Sequence, residues 1–163
     1  MNREIYLDLF SNNLKRYFTS LYLELEELFE LKFSPEVDLL DFTIVESVDG
    51  TSIMVYCMDI NGEEVYGSYG DHCFSGSEKL LENVGLFSFG EEFDRNLFFY
   101  DNPEMEHEEL ELLENWFMEA YKKGGGEEFK LPCFFGIADD IKSFDLRKRK
   151  WVLNGSEKFV FNI

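Results

Sequence analysis

Three neighbouring residues combine the side-chain types of a nucleophilic site. Asp71, His72 and Cys73 follow one another in a segment rich in Gly and Ser. A Cys–His enzyme must bring its thiol and imidazole together in space, whereas adjacent side chains diverge from the backbone. A polar turn is therefore the simpler interpretation, and the alternative is an enzyme or ligand-binding pocket that also includes Tyr66 and Tyr69.

Metal and phosphate signatures are weak in this chain. Asp139, Asp140 and Asp145 lack the spacing of an EF-hand loop, and adjacent Asp residues at a turn usually accept local backbone hydrogen bonds. No CxxC zinc pair occurs. The triglycine at 124–126 follows a predicted helix, whereas a phosphate loop precedes one and carries Lys with Ser or Thr. We therefore expect no bound metal or cofactor.

The most distinctive chemistry is an uneven excess of carboxylates. The net charge is −19, and residues 1–126 hold 28 Asp or Glu against eight Lys or Arg. Such a surface repels nucleic acids and anionic lipids, and it attracts basic proteins at rates that fall with salt. The four basic residues at 147–150 are too few to reverse this, so we expect a basic protein partner and no nucleic acid. Solubility is the alternative explanation.

Two groups of glutamates lie on predicted helices. The group near the end of the first helix opposes the helix dipole, which favours a functional use for those carboxylates. In the second helix the early glutamates suit the dipole, so a solvated face explains them as well. The predicted partner-binding residues are Glu24, Glu26, Glu27, Glu30, Glu104, Glu106, Glu108, Glu111 and Glu114.

Apolar spacing predicts the two helices that carry these glutamates. Apolar residues at intervals of three and four predict a helix over about 3–31, which Pro35 terminates. A second helix is predicted over 103–123, with Asn102 as a cap candidate and the triglycine at its end. Both helices should pack one face on a core.

Alternating apolar residues predict strands between and after the helices. Asp49-Gly50 and Asn61-Gly62 are hairpin signals, so residues 39–69 are expected to form a three-strand antiparallel meander. With two-residue loops, one face carries Phe42, Ile44, Val48, Ile53, Val55 and Cys57, and the other carries Val45, Met54, Tyr56 and Met58.

The remaining segments are predicted from shorter signals. Ser75 and Glu78 resemble a capping box for a short helix that ends before Gly85. Short strands are expected at 85–90 and 96–100, and a second antiparallel section of hairpins from 129 onward, with a basic turn at 147–150 and a last strand at 159–163. The expected fold is a single α+β domain over residues 1–163.

The cysteines and the N-terminus indicate a cytoplasmic protein. Three widely spaced cysteines make a disulfide framework improbable, and Cys57 and Cys133 fall within strand-like runs as core residues. The apolar runs are shorter than the roughly 20 residues of a membrane span. Arg3, Glu4 and Asp8 occupy the place of a secretory h-region.

The segments "GGGEEFKLPCFFG" and "KSFDLRKRKWV", in a small, strongly acidic α+β chain, give an overall likeness to a known class. The chain resembles the immunity proteins that bacteria encode beside polymorphic or contact-dependent toxins. That resemblance implies a non-catalytic inhibitor that occludes a toxin domain, often a basic nuclease. A DNA mimic that blocks a nuclease or restriction enzyme is the alternative binding function, and the pocket near Tyr69, His72 and Cys73 is the alternative from another class.

Overall fold

A computed structural model describes residues 1–67, 73–154 and 158, which fold into one α+β domain with three α-helices and a six-stranded sheet. The helices are α1 (Arg3–Phe29), α2 (Arg95–Asp101) and α3 (Glu104–Lys123). The strands are β1 (Leu39–Ser47), β2 (Gly50–Met58), β3 (Ser77–Val84), β4 (Cys133–Ile137), β5 (Lys142–Asp145) and β6 (Lys150–Leu153). The predicted strand at 159–163 lies outside the described residues.

Helix α1 confirms the long N-terminal helix. The Asn2 side chain caps it by accepting a hydrogen bond from the Ile5 N–H at 2.9 Å, which satisfies one of the free donors of the first turn. Its apolar stripe is buried against the sheet at Phe10, Leu21 and Leu25. The helix thus forms because local capping and core packing agree.

The six strands form one sheet in the order β3-β2-β1-β4-β5-β6. All neighbouring pairs are antiparallel except β1 and β4, which are parallel. The predicted antiparallel C-terminal section is confirmed by β4, β5 and β6, including the basic turn between β5 and β6. The parallel pair of β1 and β4, which joins this section to the meander in one sheet, was not predicted. Parallel neighbours require a crossover connection, and α3 supplies it here.

The hairpin of β1 and β2 has the predicted two-residue loop, but the loop lies one residue earlier. Ser47 pairs with Gly50, so Val48 and Asp49 form the turn. Gly50 has a φ of 135°, and an added Cβ would lie 2.8 Å from the Asn83 carbonyl carbon. Because Val48 lies in this turn, its side chain is fully exposed, and its predicted place on the core face was wrong.

The predicted core face of this hairpin is otherwise confirmed. Phe42 faces Val55 and Ile44 faces Ile53 across the two strands, and all four side chains are fully buried. Cys57 continues the same face and is also buried. The period-two pattern determined this register because a one-residue shift would move the whole apolar set to the other face.

The third strand of the meander is β3, not the predicted strand before residue 69. Asn61-Gly62 does form a turn, with the Asp59 carboxylate accepting from the Asn61 N–H at 2.8 Å, but only one bridge, Met58 to Glu64, follows it in the described residues. The segment predicted as a helix from Ser75 instead pairs with the edge of β2. The open edge of β2 supplies hydrogen bonds that outweigh a weak local capping signal.

The strands predicted at 85–90 and 96–100 were also wrong. Residues 96–100 belong to α2, where the Asp94 side chain accepts from the Leu97 N–H at 3.0 Å and caps the helix. Only Phe98 of this short helix is buried, where it stacks on Tyr6 with ring centroids 4.7 Å apart. Aromatic residues favour strands, but the cap and this contact select a helix.

The second face of the sheet carries a small cluster of its own. Leu39, Phe134 and Val152 are buried there. The Lys158 ammonium lies 2.5 Å from the Asp41 carboxylate, and both groups are largely withdrawn from solvent. Burial raises the pKa of Asp41 while the charge of Lys158 opposes that rise. This ion pair therefore attaches Lys158 to the face away from the helices.

Helices α1 and α3 lie side by side on the other face and run parallel. At one end Arg3 pairs with Glu108 at 2.7 Å, and at the other end Gly124 packs on the backbone of Tyr22 and Glu26. The 16 residues that separate Glu108 from Gly124 span about 24 Å along a helix. The C-terminal ends of both helices consequently meet at one end of the molecule.

We expect Gly124→Ala to destabilise the fold by about 1–3 kcal/mol because the added methyl overpacks this helix contact. Its Cβ would lie 2.9 Å from the Leu25 Cβ and 3.1 Å from the Tyr22 carbonyl oxygen. Gly124 has an ordinary helical φ of −77°, so the cost would be steric. Urea unfolding followed by circular dichroism measures it, and exposed Ser20→Ala on α1 should change stability by less than about 0.5 kcal/mol. Equal stability of both variants would contradict close packing at Gly124.

Candidate functional site

Most carboxylates of the described residues make no ion pair. The glutamates predicted to bind a partner are mainly exposed, and only Glu108 among them pairs with a cation of the described residues. The ion pairs of the described residues engage seven carboxylates: Asp41, Glu46, Glu82, Glu108, Glu109, Glu119 and Glu127. The negative charge of the sequence is therefore largely retained on the folded surface.

The fold separates the predicted glutamates into two groups. We name Glu24, Glu26, Glu27 and Glu30 the α1 cluster, and Glu104, Glu106, Glu108, Glu111 and Glu114 the α3 group. Because the two helices are parallel, the α1 cluster lies at the end where both helices finish, and the α3 group begins at the opposite end. The two groups therefore do not form one surface.

Folding accounts for part of the α3 group. Glu108 accepts hydrogen bonds from Arg3, and Glu114 accepts one from the Trp151 Nε1–H at 3.2 Å. Glu104 and Glu106 occupy the first turn of α3, where negative charge is favourable. This group has intramolecular roles, as the solvated-face interpretation of the sequence proposed.

The α1 cluster has no such roles among the described residues. Its four carboxylates are exposed, and none forms a hydrogen bond or ion pair there. Burial raises the pKa of Glu24, and the charges of Glu27 and of Glu78 on β3 raise it further. Each helix C-terminus adds a partial negative charge of about −0.5 at this end. Glu24 is therefore the member of the cluster whose charge the fold disfavours, through partial burial and through its neighbours Glu27 and Glu78.

A groove of about 940 Å³ opens beside the α1 cluster. It runs between the segment that leaves α1 and the 3-10 turn that follows α3. Glu26 and Glu30 line it, so the sequence identified two residues of this site. Its apolar lining consists of Phe29, Leu31, Phe33, Val37, Phe129 and Leu131.

Three lysines also line the groove. Lys32 and Lys130 partly offset the carboxylates of Glu26, Glu30 and Glu128. The third, Lys123, has its ammonium over the ring of Tyr22 at 4.2 Å from the centroid, where cation–π attraction holds it. The lining thus carries three lysines against three glutamates, a formal charge of zero, to which the two helix C-termini add partial negative charge.

Ser34, at the wall of the groove, carries a buried hydroxyl. Its residue is only 2% exposed, its N–H donates to the Phe74 carbonyl and its carbonyl accepts from the Val37 N–H. Its hydroxyl has no hydrogen-bond partner among the described residues. Leaving such a group unpaired costs about 1–3 kcal/mol, so this hydroxyl destabilises the fold locally.

A buried polar network at the other end of the helices was missed by the sequence analysis. Glu109 is 5% exposed and accepts hydrogen bonds from the Tyr6 hydroxyl and from Arg95, which also pairs with Glu46. The Arg95 guanidinium lies 4.1 Å from the Phe87 ring centroid. The signal was available, because Glu109 falls on the apolar stripe that includes Met105 and Leu113, although its residue type suggests solvent.

The network shifts the pKa of two of its members in the same direction. Burial opposes the charge on Arg95, but the hydrogen bond and charge of Glu109 outweigh it and raise its pKa. Burial and Glu109 also raise the pKa of the Tyr6 hydroxyl above its usual value. Both groups therefore stay protonated, as a stabilising network requires.

The alternative pocket near Cys73 has little described structure. Asp71, His72 and Tyr69 lie outside the described residues, and Cys73 is half-buried without lining the groove. Tyr66 is exposed and donates a hydrogen bond to Glu64 at 2.6 Å. This alternative gains no geometric support from the residues that are described.

The buried cysteines and the turn aspartates have structural positions. Burial raises the pKa of Cys57 to about 12, which keeps its thiol protonated near neutral pH. The Asp145 carboxylate accepts from the Arg147 and Lys148 N–H groups, as expected for a turn. Within residues 1–67, 73–154 and 158, no group of three His, Cys, Asp or Glu side chains is placed to hold a metal ion.

Comparisons with known proteins add no relative to this description. No protein-family model, no curated protein and no solved structure matches this chain. In the described part of the chain, no helix is both long and apolar enough to cross a membrane. The function must therefore be inferred from the residues of the site alone.

We expect Glu109→Gln to destabilise the fold by about 2–3 kcal/mol because it removes the charge that compensates Arg95. Exposed Glu106→Gln on the same helix is the matched control and should change stability by less than about 0.5 kcal/mol. Chemical unfolding curves of both variants give the two values. Equal effects would show that the Arg95 charge needs no buried counter-ion.

We expect Glu24→Gln to raise the free energy of unfolding at pH 7 and low salt by a few tenths of a kcal/mol, because it removes a partly desolvated charge and its repulsion by Glu27 and Glu78. A folded-state pKa above the unfolded value means that stability falls as pH rises through that pKa. The gain from the substitution should therefore disappear when the pH is lowered below the pKa of Glu24, and shrink in 0.5 M salt at a Debye length of about 4 Å. Unfolding curves at several pH values measure this, and a stabilisation independent of pH would contradict the repulsion.

Proposed function

We propose that this chain is a non-catalytic binding protein that captures and inhibits a basic protein partner in the cytoplasm. The observation that supports it is the α1 cluster, whose exposed carboxylates have no partner among the described residues. Two of them, Glu26 and Glu30, border a groove with an apolar lining. The charge of Glu24 opposes folding, and the carboxylates of the cluster make no hydrogen bond or ion pair within the described residues. A cationic partner would offset that charge on binding.

An immunity protein that neutralises a cognate bacterial toxin is the most concrete form of this proposal. Such an inhibitor needs rapid association with a basic toxin domain and a few buried anchors that slow dissociation. Unpaired carboxylates provide the first property, because electrostatic attraction raises association rates. The aromatic side chains of the groove, Phe29, Phe33 and Phe129, provide the second, because buried aromatic residues dominate interface affinity.

The site gives less support to the alternatives. A DNA mimic needs carboxylates spaced like phosphates along one continuous surface, whereas the predicted glutamates divide between two ends of the helix pair. An enzyme needs a nucleophile that is activated by a neighbouring base, and the Ser34 hydroxyl at the groove has no hydrogen-bond partner among the described residues. Stoichiometric binding is the function that this arrangement favours.

The test uses the full chain as bait for proteins of the source organism at low salt. We expect a basic toxin or nuclease to be retained, to elute as salt rises, and to lose its activity when mixed with the chain in equal amounts. Conversion of the whole α1 cluster to Gln should weaken the purified pair by at least about tenfold, which corresponds to about 1.4 kcal/mol.

The matched control neutralises four exposed glutamates elsewhere and should bind like the parent. Those residues are Glu4, Glu63, Glu91 and Glu92. Recovery of no basic protein, or retention that is indifferent to salt, would contradict the proposal. If this chain instead competes with duplex DNA for a DNA-binding enzyme, the result would identify the DNA-mimic function.

A further inference from the structure

We propose that the outer edge of β3 receives an extended basic segment of the partner, which adds to the sheet as a further strand with Lys or Arg on the side that faces α1. This inference rests on the proposed function and specifies how the partner is held. Two features of the described residues support it: backbone groups along this edge that have no partner, and carboxylates beside them that have no counter-ion.

Strand β3 is the last strand of the sheet on its side, and it pairs with β2. The Cys57 N–H of β2 donates to the Gly76 carbonyl at 2.8 Å, which sets the alternation of the antiparallel ladder. Glu78 therefore directs its N–H and C=O to β2, whereas Ser77 and Lys79 direct theirs outward. These outward groups bond no other described residue, so they can pair with an added strand.

The carboxylates lie on one side of this edge. Glu78 pairs with Val55, so its side chain is on the face of the sheet that α1 covers, and the residues before and after it point to the other face. The charges of Glu27 and Glu78 both act on Glu24, which places the α1 cluster beside the edge. All three carboxylates are exposed and make no hydrogen bond or ion pair within the described residues.

The nearby cations leave this side negative. Lys79 is paired with Glu82 of the same strand, so the two contribute no net charge. Arg16 precedes the α1 cluster by eight residues, about 12 Å along a helix. The Lys32 backbone bonds the chain four residues before Glu78, about 13 Å along a strand. A Lys or Arg opposite Glu78 would therefore form a favourable cross-strand pair.

The same features oppose pairing between two copies of this chain. Edge strands use charged residues and bulges to avoid such pairing, and β3 has both. Two antiparallel copies of β3 would bring Glu78 and Glu82 of each together, on chains of net charge −19. Register shifts after Lys79 limit the regular edge to residues 77–79. The recognised segment is therefore short, with one cation between two uncharged residues.

The probe is the capped pentapeptide Lys-Val-Lys-Val-Lys, titrated into the ¹⁵N-labelled full chain at low salt. Its valines should lie opposite Ser77 and Lys79, with its central lysine opposite Glu78. We expect saturable binding that slows hydrogen exchange of the Ser77 and Lys79 amides by at least about tenfold, because an added strand gives these outward N–H groups an acceptor. Absence of binding, or saturable binding without this protection, would overturn the inference.

Two methylated forms of the peptide separate backbone pairing from charge. Methylation of one valine nitrogen removes an N–H that points to β3 and should weaken binding by at least about fivefold. Methylation of the central lysine nitrogen should change binding by less than about twofold, because that N–H points to solvent. Equal affinity of the two forms would contradict strand addition. Equal protection by Glu-Val-Glu-Val-Glu would contradict the charge preference.

Lys79→Pro separates the same two forces within the chain. Proline is tolerated on an edge strand where the lost N–H points outward, so the fold should persist. Because the substitution removes a positive charge, charge attraction alone would strengthen peptide binding, whereas strand addition predicts a loss of at least about fivefold. Unchanged or tighter binding by the folded variant would overturn the inference. The methylated peptides test it on the parent chain if proline disturbs β3.

The carboxylates are tested by a double variant with a matched control. Glu24→Gln with Glu78→Gln should weaken peptide binding by at least about fivefold and reduce its salt dependence. Glu91→Gln with Glu92→Gln removes the same charge from another exposed region and should bind like the parent. Equal affinity of the two double variants would contradict the role of the edge carboxylates.

The outcomes separate this inference from the proposed function. If neutralising the α1 cluster releases a basic partner that still binds the Lys79→Pro chain as tightly as the parent, the function stands and the edge assignment is wrong. If no basic partner is recovered, the function is contradicted. The pentapeptide and its methylated forms then still decide whether the edge of β3 accepts a basic strand.

Discussion

The parallel packing of α1 and α3 is the constraint on which the rest of this molecule depends. Gly124 permits the end of α3 to approach the α1 backbone closely, since a Cβ there would meet Leu25 and the Tyr22 carbonyl. Because α3 runs in the same direction as α1, the chain returns to start β4 parallel to β1. The same geometry brings two helix C-termini together and creates the groove between the segments that leave them.

Carboxylates are buried and paired at one end of this helix pair, and exposed and unpaired among the described residues at the other. At the N-terminal end of α3, Glu109 is buried but compensated by Arg95 and by the Tyr6 hydroxyl, which makes its charge a structural element. At the C-terminal end, Glu24 and its neighbours are exposed and uncompensated among the described residues, and they repel one another as well as the helix dipole. One end therefore stabilises the fold, while the other retains charge at some expense of stability, as binding surfaces commonly do.

The groove connects this charge with an apolar surface. Phe29 packs edge-on against Phe42 of the sheet and Tyr121 of α3, so the wall of the groove is continuous with the main core. A ligand that packs on this wall would meet a surface held rigid from behind. In the proposed function, such preorganisation would lower the entropic cost of binding, and the adjacent carboxylates would increase the rate of encounter with a basic partner.

The sequence by itself determined the elements with strong periodicity: α1, α3, the core face of β1 and β2, the hairpin of β5 and β6, and the charge excess. It also identified Glu26 and Glu30, because carboxylates at a helix C-terminus are locally unfavourable. It did not determine β3, α2 or the parallel position of β4, since strand pairing and the choice between helix and strand in short aromatic segments depend on distant partners. Only the tertiary structure decided that Glu109 is buried beside Arg95, that Ser34 and Phe129 share a groove, and that the two glutamate groups lie apart. These relations join residues far apart in the chain, and local spacing contains no information about which distant side chains will meet.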